Sequence, residues 1–283
     1  MYQAGLILEG GGMRGVYTTG VLDAFLEAEI EFSSVYGVSA GSCHACSYLS
    51  KQKGRGYQVT ADYINDPRYC SVRSLLKTGD MFGVDMCYSQ IPDVYVPYDY
   101  DAYQEYQGRF YAVLTNLETG EAEYHRVKDM AKQIWAVRAS SSLPLLSRTI
   151  IAKGRPYLDG GIADSIPIRR SMQAGNKKNV VILTRDSSYR KEPNSILPLI
   201  RIRYGKYPKL IKLMEDRHIR YNETLDFINQ EEEAGRLFVI RPQYPVEVGR
   251  LEKNVDKLKV LYDQGLEEGR AAIEAMKAYL EEE

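Results

Sequence analysis

The sequence predicts an α/β protein with a mostly parallel central sheet and helices on both of its faces. In the first fifty residues, two short apolar strands are each followed by a glycine-containing turn and a helix. Such a β-α-β-α unit implies parallel strands joined by a right-handed crossover. A later β-branched run at residues 180–184 is typical of a further buried strand of the same sheet.

The N-terminal elements are predicted from their apolar periodicity. Residues 4–8 form an apolar strand that stops at the glycines of residues 10–12, and apolar residues then recur at helical spacing across residues 16–28. Residues 34–38 are a second short strand with β-branched side chains, and the small side chains of residues 40–49 predict a helix. Because the two strands are parallel neighbours, the turns that follow them are expected to lie side by side.

The middle of the chain combines an irregular segment with a predicted hairpin. Glycines and prolines interrupt residues 51–108, which we expect to form a cap-like insertion over the sheet. Residues 109–116 and 121–127 alternate strand-forming side chains around a Glu-Thr-Gly turn, which predicts a β-hairpin. Asp129 is the expected start of a helix that runs to about residue 140.

The C-terminal half alternates short strands with longer helices. Residues 149–152 and 156–158 are predicted strands around a Lys-Gly-Arg turn, and residues 198–234 are mostly helical and rich in charge. Residues 237–241 form a last predicted strand. Residues 251–283 have the apolar spacing of an amphipathic helix.

We predict one domain over residues 1–283, because neither a linker rich in glycine, serine or proline nor an internal repeat divides the chain. A chain of 283 residues with 44% hydrophobic content can bury a core of that size. The core would comprise about residues 4–170 and 180–241, with the insertion at about 51–108 and a C-terminal helical extension at about 250–283.

Charge and hydropathy argue against a nucleic-acid-binding protein and against a membrane-spanning or secreted protein. The formal net charge of −1, from 37 basic and 38 acidic residues, argues against a nucleic-acid-binding protein, which normally carries a basic face. The sequence lacks an uninterrupted apolar run of the roughly 18 residues that a transmembrane helix needs, and its N-terminus lacks a signal-peptide pattern. We therefore expect a cytoplasmic location, with which peripheral contact with a membrane is compatible.

The four cysteines do not indicate a disulfide framework or a metal site. They are Cys43, Cys46, Cys70 and Cys87, and the first two enclose His44 in a C-x-x-C pattern. A second pair that would complete a tetrahedral zinc site is missing from the sequence. The pair falls on a predicted apolar helix, so we expect buried, reduced side chains that behave as small hydrophobes.

A serine between the second predicted strand and its helix has the pattern of a nucleophile elbow. Gly37-Val38-Ser39-Ala40-Gly41 matches G-x-S-x-G in the strand-turn-helix context that the motif requires. The serine of such an elbow sits in a strained turn that exposes its hydroxyl, and the glycines relieve clashes where strand and helix pass. Ser39 is therefore the predicted nucleophile, with Gly37 and Gly41 supporting the turn.

A glycine-rich loop follows the first strand and has the features of an oxyanion hole. Its residues are Gly10, Gly11, Gly12, Met13, Arg14 and Gly15. Successive glycines let backbone N–H groups turn towards one point at a helix N-terminus, where developing negative charge is stabilised. The same loop also matches the dinucleotide-binding pattern G-x-G-x-x-G. That alternative is disfavoured because the second strand closes with the serine turn instead of the acidic residue that would hold a ribose.

A later turn supplies a carboxylate that can serve as the base. Asp159 ends a short predicted strand, and Gly160 and Gly161 follow it and permit a tight turn. An Asp-Gly pair is also common in plain turns. Together with the serine and glycine loops, we predict that Asp159 is the base, because a carboxylate can activate a hydroxyl directly at hydrogen-bond distance.

A Ser-Asp-His triad is the alternative arrangement, because Ser39, Asp159 and His218 occur in the order of α/β-hydrolases. Only one strand precedes the strand that leads into Ser39, however, whereas several precede the elbow of that fold. His218 lies in a charged helical segment, where we expect it to be solvated. His44 and His125 are expected to be structural.

Three sequence blocks taken together resemble the patatin-like phospholipases, and in particular bacterial members of that family. The blocks are GGGMRG before a helix, GVSAG some thirty residues later, and the DGG turn, and the resemblance covers roughly residues 4–170. It implies a three-layer α/β/α sandwich, a Ser39-Asp159 dyad and an oxyanion hole at the glycine loop. Glu9 before the glycines departs from what many relatives carry at that position.

The resemblance implies a serine hydrolase that cleaves acyl esters of lipids, of the phospholipase A, lysophospholipase or esterase type, without metal or cofactor. The expected partner is a lipid or acyl-ester substrate, and nucleic acid is not expected. A catalytically silent lipid-binding or regulatory protein of the same fold is the alternative. The sequence leaves open the acyl-chain and headgroup preference and the oligomeric state.

Two further segments admit both a packing and a lipid-contact interpretation. The tyrosine-rich residues 93–107 fit either loop packing, which is favoured, or an access cap. Basic side chains in residues 201–220 fit either a solvated helix face, again favoured, or contact with anionic headgroups.

Overall fold

The computed structural model describes residues 1–282, whose centre is one mixed sheet flanked by helices. Within these residues the sheet has eight strands: β1 Tyr2–Leu8, β2 Phe32–Val38, β3 Arg109–Asn116, β4 Ala122–Val127, β5 Ile150–Ala152, β6 Arg155–Asp159, β7 Lys178–Ile182 and β8 Phe238–Ile240. The helices are α1 Val16–Glu27, α2 Ala40–Leu49, α3 Arg55–Ala61, α4 Val72–Thr78, α5 Tyr100–Glu105, α6 Met130–Ser140, α7 Ile168–Gln173, α8 Leu197–Arg203, α9 Pro208–Glu233 and α10 Val255–Glu281.

The strand order is β5-β6-β3-β2-β1-β7-β8, and β4 also pairs with β3. The pairs β1-β2, β1-β7, β2-β3 and β7-β8 are parallel, which confirms the predicted mostly parallel α/β sheet. The predicted hairpin is also confirmed, since β3 and β4 pair antiparallel. The parallel strands β1, β2 and β7 end at one edge of the sheet, where open α/β sheets usually bind ligands.

Strand β3 aligns the ends of two other strands. β4 pairs along one edge of β3, so β2 and β6 must share the other edge. Val38, the last residue of β2, lies opposite Val113, and Asp159, the last residue of β6, lies opposite Leu114. The two strand ends therefore meet beside consecutive residues of β3, although the chain separates them by more than a hundred residues.

Helices cover both faces of the sheet, as predicted. Alternating residues of β1 demonstrate this arrangement, because neighbouring side chains of a strand point to opposite faces. Leu6 and Leu8 belong to an apolar cluster that includes side chains of α1 and α10. Ile7 belongs to a second cluster, which includes Ile228 of α9. Among the residues that the structure describes, no helix is both long and apolar enough to span a bilayer.

The segment 51–108 is more regular than its sequence pattern suggested. It contains α3, α4, α5 and a π-helical segment, Met86–Tyr95. The glycines that we interpreted as breaks include helix boundaries: Gly54 precedes α3 at φ +79° and Gly79 ends α4 at φ +84°. Such left-handed conformations favour glycine, so these residues delimit short helices instead of disrupting them.

Two other predicted bounds are wrong, one by four residues and one by two. The last helix begins at Val255 instead of residue 251, because the Asn254 side chain accepts hydrogen bonds from the backbone amides of Asp256 and Lys257 and caps the helix there. β7 ends at Ile182, two residues before the predicted end. The predicted division into core, insertion and extension remains a prediction.

Glycines allow α1 and α10 to pack closely. A Cβ atom on Gly265 would lie 2.2 Å from the backbone oxygen of Tyr17, and one on Gly20 would lie 2.2 Å from that of Tyr262. Hydrogen bonds from the hydroxyls of Tyr17 and Tyr262 to Glu268 and Asp23 join the same two helices. The C-terminal helix is therefore fixed to the N-terminal βα unit.

Gly265→Val is expected to lower the free energy of unfolding by about 2 kcal/mol or more, because the side chain would collide with backbone that cannot rotate away. Thermal or urea unfolding followed by circular dichroism measures the change. Ala275→Val places the same side chain on an exposed position of α10 and should cost only a few tenths of a kcal/mol. Equal losses in the two proteins would contradict the close packing of the helices.

Candidate active site

Ser39 occupies a strained turn between β2 and α2. Its φ of +54° and ψ of −123° are unusual for a residue with a side chain, and such a conformation costs on the order of 1–3 kcal/mol. Close backbone approaches surround the turn: a Cβ on Gly37 would lie 2.6 Å from the Ser42 Cα, and one on Gly41 would lie 2.4 Å from the Leu8 oxygen. Glycine is thus required at both positions, as the elbow interpretation expects.

A second serine supports the turn, and the sequence did not indicate it. The Ser39 backbone N–H donates to Oγ of Ser140 at 3.0 Å, and the hydroxyls of Ser140 and Ser42 lie 2.9 Å apart. The Ser42 hydroxyl also donates to the Gly37 oxygen at 2.6 Å. Ser140 ends α6, a hundred residues later in the chain, and no motif marks it.

Asp159 lies in the same polar pocket as Ser39, and both side chains are buried, with exposed fractions of 3% and 8%. Oδ1 of Asp159 accepts a hydrogen bond from the Gly161 N–H at 2.8 Å. Oδ2 is buried and has no well-aligned hydrogen-bond partner among the described residues. One oxygen is thus used by the turn, and the other is free to accept a proton.

Burial raises the pKa of the Asp159 carboxyl above its ordinary value, and several neighbours partly offset the effect. Among these neighbours the Ser39 hydroxyl lowers this pKa most, followed by the charge of Arg217. Ser39 and Asp159 line one pocket, but within the described residues the hydroxyl does not form a hydrogen bond to Oδ2. A raised pKa gives the carboxylate a stronger tendency to take up a proton.

The glycine loop lies against the serine. A Cβ on Gly10 would lie 2.7 Å from the Cβ of Ser39, so only glycine allows this approach. Gly10, Gly11, Gly12 and Arg14 line the polar pocket with Ser39 and Asp159. Within the described part of the chain, the backbone N–H groups of Gly10 and Gly11 have no assigned acceptor. These amides are therefore available to a bound oxygen.

Gly15, the last of the predicted loop residues, does not line that pocket. A Cβ at this position would lie 2.7 Å from Nε2 of His44 and 3.0 Å from the Cβ of Ala40. Gly15 therefore allows the start of α1 to pack against α2. Its contribution is to the position of the loop.

Glu9, which precedes the glycines, is a buried anchor with an exposed fraction of 3%. One carboxylate oxygen accepts hydrogen bonds from the backbone N–H and hydroxyl of Thr184, at 2.7 and 2.9 Å. The other accepts one from the Tyr221 hydroxyl at 2.5 Å. The loop is thereby tied to the end of β7 and to α9.

Two arginines of α9 hold the turn after Asp159. Nε of Arg217 donates to the Gly161 oxygen at 2.6 Å, and Arg220 donates to the oxygens of Ala163 and Ile162 at 2.7 and 3.0 Å. We expected this helix to be a solvated charged face. One feature of the sequence could have indicated that this helix contacts the site. Arg217 and Tyr221 are four residues apart, which puts both on one side of the helix.

The histidines are not part of this arrangement. His218, expected to be solvated, is half-buried on α9, with Nδ1 3.1 Å from the Glu215 oxygen one turn earlier. His125 packs on Trp135 with a ring-centroid distance of 4.6 Å. His44 lines an apolar cavity, and burial lowers its pKa to about 4. None of the three lines the polar pocket, although His218 lines an adjoining groove together with Asp159.

An apolar cavity of about 180 Å³ lies on the other side of Ser39. Its walls include Met13, Val16, Ile91 and Val137, and it shares Gly12, Ser39 and Leu143 with the polar pocket. Part of the wall comes from the segment 51–108, so that segment contributes to the cavity beside Ser39. The cavity can hold an apolar chain whose polar end reaches the serine.

The cysteines and most of the tyrosine-rich segment are packing elements. All four cysteines are free thiols, Cys43 and Cys46 line the apolar cavity, and burial raises the pKa of the Cys43 thiol to about 11. Tyr98 and Tyr103 are buried, and their hydroxyls donate to the backbone oxygens of Cys46 and Val127. The described residues hold no cluster of three or more potential metal ligands.

Two family models match the chain. One is described as patatin-like phospholipase and matches residues 6–171, and the other is described as a domain of unknown function (DUF6363) and matches residues 207–281. The first range contains the glycine loop, the elbow and Asp159. Arg217 and Tyr221 lie in the second range.

Several known proteins are similar to the chain. The uncharacterized protein YjjU of Escherichia coli (strain K12) is 27% identical over 267 residues, which cover 92% of this chain and 74% of YjjU. Lysophospholipase nte1 of Aspergillus fumigatus is 28% identical over 176 residues, which cover 58% of this chain but 11% of that protein. The crystal structure of VipD from Legionella pneumophila aligns with a TM-score of 0.49 at 13% identity, over 99% of this chain and 67% of VipD.

Proposed function

Because the chain belongs to the patatin-like phospholipase family, we propose that it hydrolyses acyl esters of lipids with Ser39 as nucleophile and Asp159 as base. One observation carries the proposal. A serine in a strained turn and a buried carboxylate oxygen without a well-aligned partner share one small pocket with the amides of a glycine loop. A lipid substrate is further supported by the apolar cavity beside Ser39 and by the name of the lysophospholipase relatives.

In the proposed first step, Oδ2 of Asp159 takes the proton of the Ser39 hydroxyl while Oγ attacks the ester carbonyl carbon. The carbonyl oxygen becomes an oxyanion, to which the N–H groups of Gly10 and Gly11 donate. Donors that are already in position are effective because the charge develops where they point, and each is typically worth about 3 kcal/mol of the barrier.

The tetrahedral intermediate then collapses. The ester C–O bond breaks, Asp159 returns the proton to the departing alcohol, and an acyl-Ser39 ester remains. In the second half of the reaction, Asp159 takes a proton from water, and the resulting hydroxide attacks the acyl carbon. The carboxylic acid leaves, and the proton returns to Ser39.

A Ser-Asp-His triad receives less support from the contacts. The residue of α9 whose charge acts on Asp159 is Arg217, whereas the neighbouring His218 has Nδ1 directed to a carbonyl of its own helix. A triad would require a histidine nitrogen between the carboxylate and the hydroxyl.

A fluorophosphonate probe tests the proposal directly, because such probes phosphonylate activated serines. We expect one label on the wild-type protein, located by peptide mass spectrometry on Ser39, and no label after heat denaturation. An unlabelled folded protein would favour the silent lipid-binding alternative. Labelling that depends on His218, tested with His218→Ala, would favour the triad.

A further inference from the structure

We propose that Arg185, Lys191 and Arg250 form a subsite for an anionic phosphate on the leaving group of the ester, next to Ser39. The inference rests on the proposed hydrolysis and adds selectivity to it. Acyl esters of glycerol phosphate should be preferred over neutral acylglycerols and over esters whose headgroup carries a compensating quaternary ammonium. The residues in question lie outside the range that matches the patatin-like phospholipase model.

Basic side chains dominate the wall of the polar pocket that contains Ser39. They are Arg14, Arg185, Lys191, Arg217 and Arg250. Because of these side chains, we call the polar pocket the cationic pocket from here on. The acidic side chains in the same wall are Glu9 and Asp159. The positive charges thus outnumber the negative ones, although the chain as a whole carries a formal net charge of −1.

Salt bridges do not hold these cations in the part of the chain that the structure describes. Within residues 1–282 none of the five forms a salt bridge, although salt bridges hold basic side chains elsewhere in the protein. Nε of Arg14 and Nε of Arg185 are buried without hydrogen-bond partners in the same part of the chain. Thr184 and Tyr221 donate hydrogen bonds to both oxygens of Glu9. The charge of Glu9 raises the pKa of Arg14 and of Lys191, but it does not offset burial and the neighbouring cations, which lower both.

The charges are close enough to repel one another. Burial lowers the pKa of Lys191 to about 7, and the charges of Arg217 and Arg250 contribute to this decrease. Burial, followed by the charges of Arg185 and Arg250, lowers the pKa of Arg14 to about 10. A phosphate anion would relieve this repulsion and accept several charge-assisted hydrogen bonds at once.

The position of the cationic pocket assigns the anion to the leaving group. The cationic pocket and the apolar cavity meet at Gly12, Ser39 and Leu143, so an ester bound at Ser39 extends into both. An acyl chain fits the apolar side. The alcohol part then points to the cationic side, which continues into an open groove of about 790 Å³ lined by Lys191, Arg217 and Arg250.

The backbone at Lys191 is held in place independently of its side chain. Its N–H donates to Oδ1 of Asn222, and its oxygen accepts from Nδ2 of the same residue, at 2.8 and 3.0 Å. The ammonium lies 4.3 Å from the centre of the Tyr221 ring. A change of this side chain should therefore remove charge without displacing the loop. Arg250 also lines the pocket, and its backbone is joined to the glycine loop, because its oxygen accepts a hydrogen bond from the Met13 N–H at 3.1 Å.

The test compares three soluble substrates with one acyl chain, below their critical micelle concentrations: 1-octanoylglycerol, its 3-phosphate and its 3-phosphocholine ester. We expect the wild-type protein to prefer the phosphate over the other two by about tenfold or more in kcat/KM. In Lys191→Met, the ratio of phosphate to neutral substrate should fall about tenfold. Lys206→Met is the matched control, since Lys206 also lies over a tyrosine ring, Tyr207, but is exposed and outside the pocket; its ratio should not change.

Inorganic phosphate provides a second measurement on the unmodified protein. It should inhibit hydrolysis of 1-octanoylglycerol competitively, more than chloride does at equal ionic strength, and Lys191→Met should weaken that inhibition. An unchanged substrate ratio in folded Lys191→Met would overturn the subsite. Phosphate inhibition without any substrate preference would mean a site for free phosphate and would overturn the assignment to the leaving group.

Failure of the proposed function has a different signature. If hydrolysis of the neutral ester persists in Ser39→Ala, the nucleophile is wrong whatever the substrate ratios are. If hydrolysis depends on Ser39 but the three substrates react equally, the proposed hydrolase function is supported and the phosphate subsite is contradicted.

Discussion

Ser39→Ala is expected to lower kcat for acyl-ester hydrolysis by about 10⁴-fold or more, because removing a nucleophile leaves only substrate binding and oxyanion stabilisation. Hydrolysis of a p-nitrophenyl acyl ester, followed by the absorbance of the released nitrophenolate, measures the rate. The fold should persist, since alanine removes only a hydroxyl from a turn whose strain is in the backbone.

The control for this substitution is Ser187→Ala, which removes an exposed hydroxyl from the loop after β7 and should leave the rate unchanged. A Ser39→Ala protein that turns over the ester at the wild-type rate would show that another group attacks the carbonyl. If Ser39→Ala also has a lower melting temperature, its rate should be compared with that of the wild type at a temperature where both proteins are folded.

Asp159→Asn should lower kcat by about 10³-fold or more, because an amide has nearly the shape of a carboxylate but cannot take the hydroxyl proton. Ser39→Ala and Asp159→Asn act on one proton transfer, so the double variant should be hardly slower than Ser39→Ala alone. Multiplicative losses in the double variant would indicate that the two side chains act in separate steps.

The pH dependence follows from the raised pKa of Asp159. The base must be ionised, so the wild-type rate should fall as the pH decreases through this raised value, above the ordinary value for an aspartate. Asp159→Asn should lack this acid limb. A wild-type profile that is flat down to pH 4 would argue against this carboxylate as the base.

The melting temperature of Asp159→Asn shows whether a slower rate comes from the lost base or from misfolding. Because the folded-state pKa of Asp159 is raised, its ionised form costs stability at every pH above the unfolded-state pKa, and this cost is absent only in acid. The amide that replaces the carboxylate in Asp159→Asn would carry no charge to bury. At pH 7 this variant should therefore melt at the same temperature as the wild type or at a higher one, although it hydrolyses the ester more slowly.

Sequence motifs marked residues of the candidate site, but they did not show how these residues come together. Ser39, Asp159 and the glycines of residues 10–12 follow strand ends, and short motifs mark them because backbone geometry there tolerates few residue types. The register of β3 with β2 and β6, which brings the strand ends together, depends on long-range pairing that no local pattern encodes.

Residues that support the site were missed because they act through contacts distant in sequence. Ser140 lies in a run of three serines and Arg217 in a helix of alternating charges, where exposed positions are the usual expectation. Both contact backbone atoms of the turns at Ser39 and Asp159. Lys191 and Arg250 lie on loops outside the recognisable blocks, so their convergence on the pocket required coordinates.

The meeting of two strand ends along one edge of β3 has a consequence for how this protein can change. The relative position of Ser39 and Asp159 is a property of the backbone ladder, so substitutions in the segment 51–108 or in the basic wall of the pocket can accumulate without altering it. Inserting one residue into β3 would displace one strand end by roughly 3.3 Å and reverse the orientation of the side chains beyond it. Efforts to alter which esters are accepted should therefore diversify the walls and keep the length of that strand constant.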